Sequence, residues 1–124
     1  METCKALVFS RRDNLPEKTI AVLTKEVAGR LMMDSYKTTD IGTTATLKHT
    51  CLDDVGMLAA TAIREGCDAF IYPEGAIPNL ASRFMLAVLS WGRPLPFVYE
   101  WRGGYENPQL VRMILSTQAV EERG

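Results

Sequence analysis

Neither sign of charge is in excess in this chain: fourteen Lys and Arg stand against fifteen Asp and Glu, for a formal charge of −1. Without a net field, nucleic acid and membrane surfaces are not expected partners. Metal-binding side chains are equally sparse. The single His49 and the three scattered cysteines, Cys4, Cys51 and Cys67, contain no C-x-x-C pair. No metal site is expected from them, and no cofactor. The cysteines read as reduced thiols acting as small hydrophobes, which fits a cytoplasmic setting. No apolar run approaches the ~18 residues of a membrane span, and the start does not read as a secretory leader. Linkers, repeats and low-complexity blocks are also missing. A chain of 124 residues, 47% hydrophobic and 23% charged, is then expected to form one domain over 1–124, with a core of ordinary size and a frayed C-terminal tail.

What is present is an alternation of short apolar runs and helical stripes. Ala6-Leu7-Val8-Phe9 is a continuous apolar run, as in a strand covered on both faces. Asn14 with Glu17 three residues on resembles a capping box, and Ile20, Leu23, Val27 and Leu31 then share one helix face, predicting a helix over 16–32. Residues 36–50 are rich in β-branched side chains. They fit either one strand leading into a Gly-Thr-Thr loop or two strands folded about Gly42. Thr50 and Asp53 resemble a second capping box before the stripe Val55, Leu58, Ala59, Ala62 and Ile63, with Gly66 placed to end it. Asp68 to Tyr72 is a second buried strand. Leu80, Phe84, Ala87, Val88 and Trp91 mark another helix, and Leu95 to Tyr99 another strand, with Pro96 arguing for an edge position or a strand start. Asn107-Pro108 followed by Leu110, Val111, Ile114 and Leu115 predicts a final helix. The alternation implies an α/β fold, a three-layer Rossmann-like domain with a mainly parallel sheet of about four or five strands.

Ligands of such sheets bind beyond the carboxyl ends of the strands. The loops expected there carry Ser10, Arg11 and Arg12, then Gly42, Thr43 and Thr44, then Gly75 and Asn79. Small and hydroxyl residues beside arginine suit a phosphate or other anion, although the same residues are ordinary turn formers. Catalytic candidates are few. Glu74 follows a buried strand, where a general base is useful or a loop glutamate is simply solvated. Asp53 and Asp54 read as a helix cap and a dipole partner before they read as an acid–base pair. His49 has no adjacent Ser or Cys, so a nucleophilic triad is not expected. Trp91, Tyr99, Trp101 and Tyr105 gather around the last strand, as a core edge, a subunit interface or a stacking surface.

Two families share motifs with this chain. Asp68-Ala69-Phe70-Ile71, Pro73-Glu74-Gly75, Leu89-Ser90-Trp91, Arg93-Pro94 and Gly104-Tyr105-Glu106-Asn107-Pro108 resemble the lysine-decarboxylase-like proteins, the cytokinin-activating phosphoribohydrolases of the Lonely Guy type. Leu7-Val8-Phe9-Ser10 through Asp13-Asn14-Leu15-Pro16 is similar to that family's first strand and loop. The resemblance implies a nucleotide site, hydrolysis of the N-glycosidic bond of a nucleoside monophosphate, and a homodimer. The second glycine and the Gly-Thr of the family's phosphate loop are absent, and Ala81-Ser82-Arg83 stands where its catalytic glutamate is expected. A shortened relative without the standard reaction is thus implied. The second family is the methylglyoxal-synthase-like fold. Gly42-Thr43-Thr44 resembles its phosphate loop, Asp53 or Asp54 with Val55-Gly56 its catalytic-aspartate segment, and Ala76-Ile77-Pro78-Asn79 a loop that ends there in histidine.

Three functions follow as expectations. The first is binding of a nucleotide or other phosphorylated small metabolite, with glycosidic hydrolysis lost. The second is an active hydrolase or phosphate-eliminating lyase working through Glu74, Asp53 or Asp54. The third is a self-associating interaction module.

Overall fold

The computed structural model describes residues 2–35 and 43–115; Gly42 and the C-terminal tail lie outside the described residues. The elements run β1 (Glu2–Phe9), α1 (Glu17–Asp34), β2 (Thr43–Thr50), α2 (Val55–Arg64), β3 (Ala69–Pro73), α3 (Leu80–Ser90), β4 (Phe97–Arg102) and β5 (Gln109–Met113). One sheet holds the strands in the order β2-β1-β3-β4-β5. The first three pairings are parallel, and β5 is antiparallel to β4. This is the α/β, mainly parallel architecture that the alternation of runs predicts, with five strands where four or five are expected.

Strand alternation sorts the apolar side chains into two cores. Leu7, Phe9, Phe70, Tyr72 and Val98 face α2 and α3, where they meet Leu58, Ala62, Phe84 and Val88. Ala6, Val8, Ile71, Tyr99 and Trp101 point the other way, onto Leu23, Val27 and Leu31 of α1. Helices therefore cover both faces, which is why β1 and β3 are continuous apolar runs. Phe70 and Phe84 stack with ring centroids 4.1 Å apart at the centre of the first core.

Several local expectations are corrected. Pro16, not Asn14, holds the N-cap position of α1, with no side chain bonded to the first turn. The buried face of α1 is Thr19, Leu23, Val27 and Leu31, and Ile20 is 38% exposed. Thr19 wins the inner position because its hydroxyl donates to the Tyr105 carbonyl at 2.7 Å. Asp54 caps α2, accepting the Met57 N–H at 2.9 Å, in place of the capping box expected of Thr50 and Asp53; the Thr50 hydroxyl accepts the Leu52 N–H instead. Pro96 precedes β4, which is an interior strand, so Pro96 marks a strand start and not an edge. Of the four aromatic residues, Tyr99, Trp101 and Tyr105 gather in one core, whereas Trp91 ends α3 at the amino edge of the sheet.

The largest correction is β5. Asn107-Pro108 opens no helix; it closes a hairpin. Gly103 and Gly104 turn the chain at φ +89° and +73°, and a Cβ on Gly103 would collide with the Asn107 carbonyl oxygen. Gln109 then pairs with Arg102 and Leu110 with Trp101. The open side of β4 leaves a row of unpaired backbone groups, and satisfying them outweighs a local helix signal of about 1 kcal/mol. Among the described residues no helix is long and apolar enough to cross a membrane.

Replacing Phe84 by Ala removes the ring stacked on Phe70 and leaves a cavity between two helices and the sheet. We expect a loss of about 3–5 kcal/mol of stability, read as a lower urea midpoint at an unchanged m-value. A midpoint within error of wild type would show that this contact does not organise the core.

Candidate functional site

Because β1 is followed spatially by β2 on one side and β3 on the other, the chain leaves β1 toward α1 and leaves β3 toward α3, on opposite faces. The loops after β1 and β3 diverge and open a crevice at the carboxyl edge, the usual ligand position in this strand order. Arg11 spans the crevice. Its Nη2 donates to the Ala76 carbonyl at 2.8 Å, and its Nη1 lies 3.5 Å from the Asp53 carboxylate. Arg12 lies with its guanidinium 3.9 Å from the centroid of the Tyr105 ring, and Trp101 meets that ring edge-on at 5.0 Å. The Trp101 indole N–H donates to the Gly104 carbonyl at 2.7 Å, which holds the hairpin against the sheet. Four loops thus converge around two guanidinium groups.

A cleft of about 340 Å³ lies between Arg11, Gly75 and Ala76 on one side and Trp101, Gly104 and Tyr105 on the other. Gly75 takes φ +75°, a conformation that L side chains rarely adopt, and so turns the loop without a Cβ over the cleft. Asn79 is also left-handed, at φ 55°, and does not cap α3 with its side chain.

Ser10 is fully buried. Its N–H donates to the Thr50 carbonyl at 3.1 Å, its Oγ lies 2.9 Å from His49 Nε2 and it accepts the Arg12 N–H at 3.3 Å. The hydroxyl is thus engaged inside the loop that presents Arg11 and Arg12. His49 is the partner that chain order concealed, since the pair is brought together only by β1–β2 pairing. The contact is not a nucleophilic pair, because the serine is sealed from solvent. Burial lowers the His49 pKa below its ordinary value, against a smaller opposing pull from Asp13.

Ser10, Arg11, Arg12, Gly75 and Asn79 do collect at the carboxyl edge. Thr43 and Thr44 do not. They begin β2 opposite Glu2 and Thr3, at the amino edge, and Thr44 lines a groove between α1 and β2. Among the described residues of the β-branched segment, the strand β2 starts at Thr43, so the loop following it is Cys51-Leu52-Asp53-Asp54. Gly42 itself lies outside the described residues. Of the acidic candidates, Asp54 is engaged as a helix cap, Asp53 pairs with Arg11, and Glu74 lies 3.7 Å from Arg102 Nε. Among the described residues no three His, Cys, Asp or Glu side chains are placed to hold a metal ion, and the three cysteines form no disulfide.

Sequence reasoning missed Glu100 and Tyr72. They are register partners on β3 and β4, and the only signal in the sequence was a glutamate inside an apolar strand. The chain matches no protein-family model, no curated protein and no solved structure, so its chemistry rests on these residues alone.

The lowered His49 pKa gives a pH dependence with a definite sign. The unfolded chain takes up a proton near pH 6.5 while the folded state resists it, so stability is full above that pH and is lost as the pH falls toward the folded value. Chemical denaturation across pH 5–7.5 should show this decline in wild type and a flatter profile in His49→Gln. Parallel profiles would refute the assignment.

Proposed function

We propose that this protein binds a nucleotide or other phosphorylated small metabolite in the crevice between the β1 and β3 loops, with Arg11 as the principal anion-binding group. The observation that carries this reading is the state of Arg11. Its side chain is 59% exposed, and its guanidinium lies over the strand-order reversal, held by a neutral carbonyl and a long, solvent-screened ion pair. Such exposed pairs contribute about 0–1 kcal/mol, whereas a phosphate offers two charge-assisted hydrogen bonds in the fork geometry of a guanidinium. Arg11 can thus exchange weak partners for strong ones without disturbing the fold. Arg12 adds positive charge, and the Tyr105 ring beneath it offers an aromatic face at the cleft.

Glycosidic hydrolysis of the phosphoribohydrolase kind is not part of the proposal. The first turn of α3 carries no acidic residue, so the glutamate that the resemblance calls for has no counterpart there. Self-association is a second reading, favoured by the exposure of Trp91 at 59% together with Leu89 and Leu95 near the amino edge. A dimer through that edge would leave the crevice open.

Calorimetric titration with inorganic phosphate and adenosine 5′-monophosphate tests the main reading. We expect saturable binding of both, and Arg11→Ala to weaken it about tenfold or more, the worth of a charge-assisted bond. No heat from either compound would end the proposal. Light scattering after gel filtration tests the second: Trp91→Ser should shift a dimer to a monomer, and a wild-type mass of one chain would exclude it.

A further inference from the structure

The loop that carries Gly75 has a cleft on each side, and the second one, about 490 Å³, opens on the α3 face of the sheet. Tyr72 and Glu100 lie at its base and Ile77, Leu80 and Met113 among its walls. Glu100 continues the strand face of Val98, where alternation calls for an apolar residue. Its side chain is only 17% exposed. Leaving a carboxylate there is costly unless it is paired, and it is paired incompletely. Arg102 Nε donates to Oε2 at 2.7 Å, while the Tyr72 hydroxyl donates to Oε1 from 3.4 Å, the outer limit of a hydrogen bond. A carboxylate oxygen accepts two hydrogen bonds, and a phenol accepts as well as donates. Unused acceptor capacity thus sits at the base of an apolar-walled cleft.

We propose that this second cleft is a subsite for the hydroxyl-bearing, phosphate-free part of the ligand, a sugar or polyol whose hydroxyls donate to Glu100 and exchange hydrogen bonds with Tyr72. The proposal rests on the reading of Arg11 as the phosphate site. Charge sets the direction of the ligand. Among the described residues, the one charged residue that lines the second cleft is Glu100, whose carboxylate disfavours a phosphate, whereas the first is lined by Arg11 together with Glu74, which lies 3.7 Å from Arg102. Arg102 already balances Glu100, so neutral donors fit better than a second cation. Gly75 lines both clefts, so a ligand reaching from one to the other crosses backbone without a side chain.

Titration with inorganic phosphate and with ribose 5-phosphate tests this, on wild type, Glu100→Gln and Tyr72→Phe, each first checked for an unchanged thermal unfolding midpoint. Wild type should bind ribose 5-phosphate about tenfold or more tightly than phosphate, as expected for hydroxyls bonded to a charged acceptor. Both variants should reduce that preference while leaving phosphate affinity unchanged; if Glu100→Gln fails to fold, Tyr72→Phe carries the test. Equal affinity for the two compounds in wild type, or a preference that survives in the folded variants, overturns the subsite and leaves the phosphate site standing. Absence of binding by both compounds overturns the two together.

Discussion

The structure depends on the burial of β1 on both faces and along both edges. Ala6, Leu7, Val8 and Phe9 are wholly inaccessible to solvent, two facing each core, and their backbone groups pair with β2 on one side and β3 on the other. A strand apolar on both faces has no stable place at a sheet edge, so the chain must add strands on each side of it. With right-handed crossovers, adding β2 on one side and β3 on the other puts α1 on one face and α2 and α3 on the opposite face. The divergence of the β1 and β3 loops, and hence the crevice, follows from the place of β1 between β2 and β3 in the sheet.

The polar edge above that core is tied by a few bonds. Ser10, buried where β1 ends, turns the chain so that Arg11 and Arg12 project over neighbouring loops. Arg11 reaches the β2 and β3 loops, and Arg12 covers Tyr105 on the hairpin. Thr19 fixes the same hairpin from α1. The β4–β5 hairpin is therefore part of the site's frame, although it lies two strands away from β1. On the α3 face, Tyr72, Glu100, Arg102 and Glu74 form a separate chain of contacts, with acceptors inside and opposite charges at the rim. The Gly75 loop divides a cleft lined by Arg11 and Glu74 from one whose charged lining residue is Glu100.

Local pattern and tertiary structure disagree where a segment's partner is distant in sequence. Asn107-Pro108 is a sound helix start by local rules, but the exposed edge of β4 and the turn at Gly103-Gly104 recruit the following residues as a strand. The Gly-Thr-Thr segment reads as a loop after a strand, yet pairing with β1 places its threonines at the start of one. Ile20 fits an apolar stripe as well as Thr19 does, until the Tyr105 carbonyl supplies a hydrogen bond that favours Thr19. In each case the deciding group lies outside the window from which the pattern was read.

The sequence by itself determined the alternation of strands and helices, the two-sided burial of β1 and β3, the apolar faces of α2 and α3, and the collection of Ser10, Arg11, Arg12, Gly75 and Asn79 at one edge. These follow from periodicity and turn chemistry, which are local and repeat along the chain. Tertiary structure alone decided the strand order, the antiparallel β5, the contact of Ser10 with His49, the bridge from Arg11 to Ala76 and Asp53, and the adjacency of Tyr72 and Glu100. Those depend on pairing register between strands that are separated by whole helices, and register is set by the packing of both cores at once.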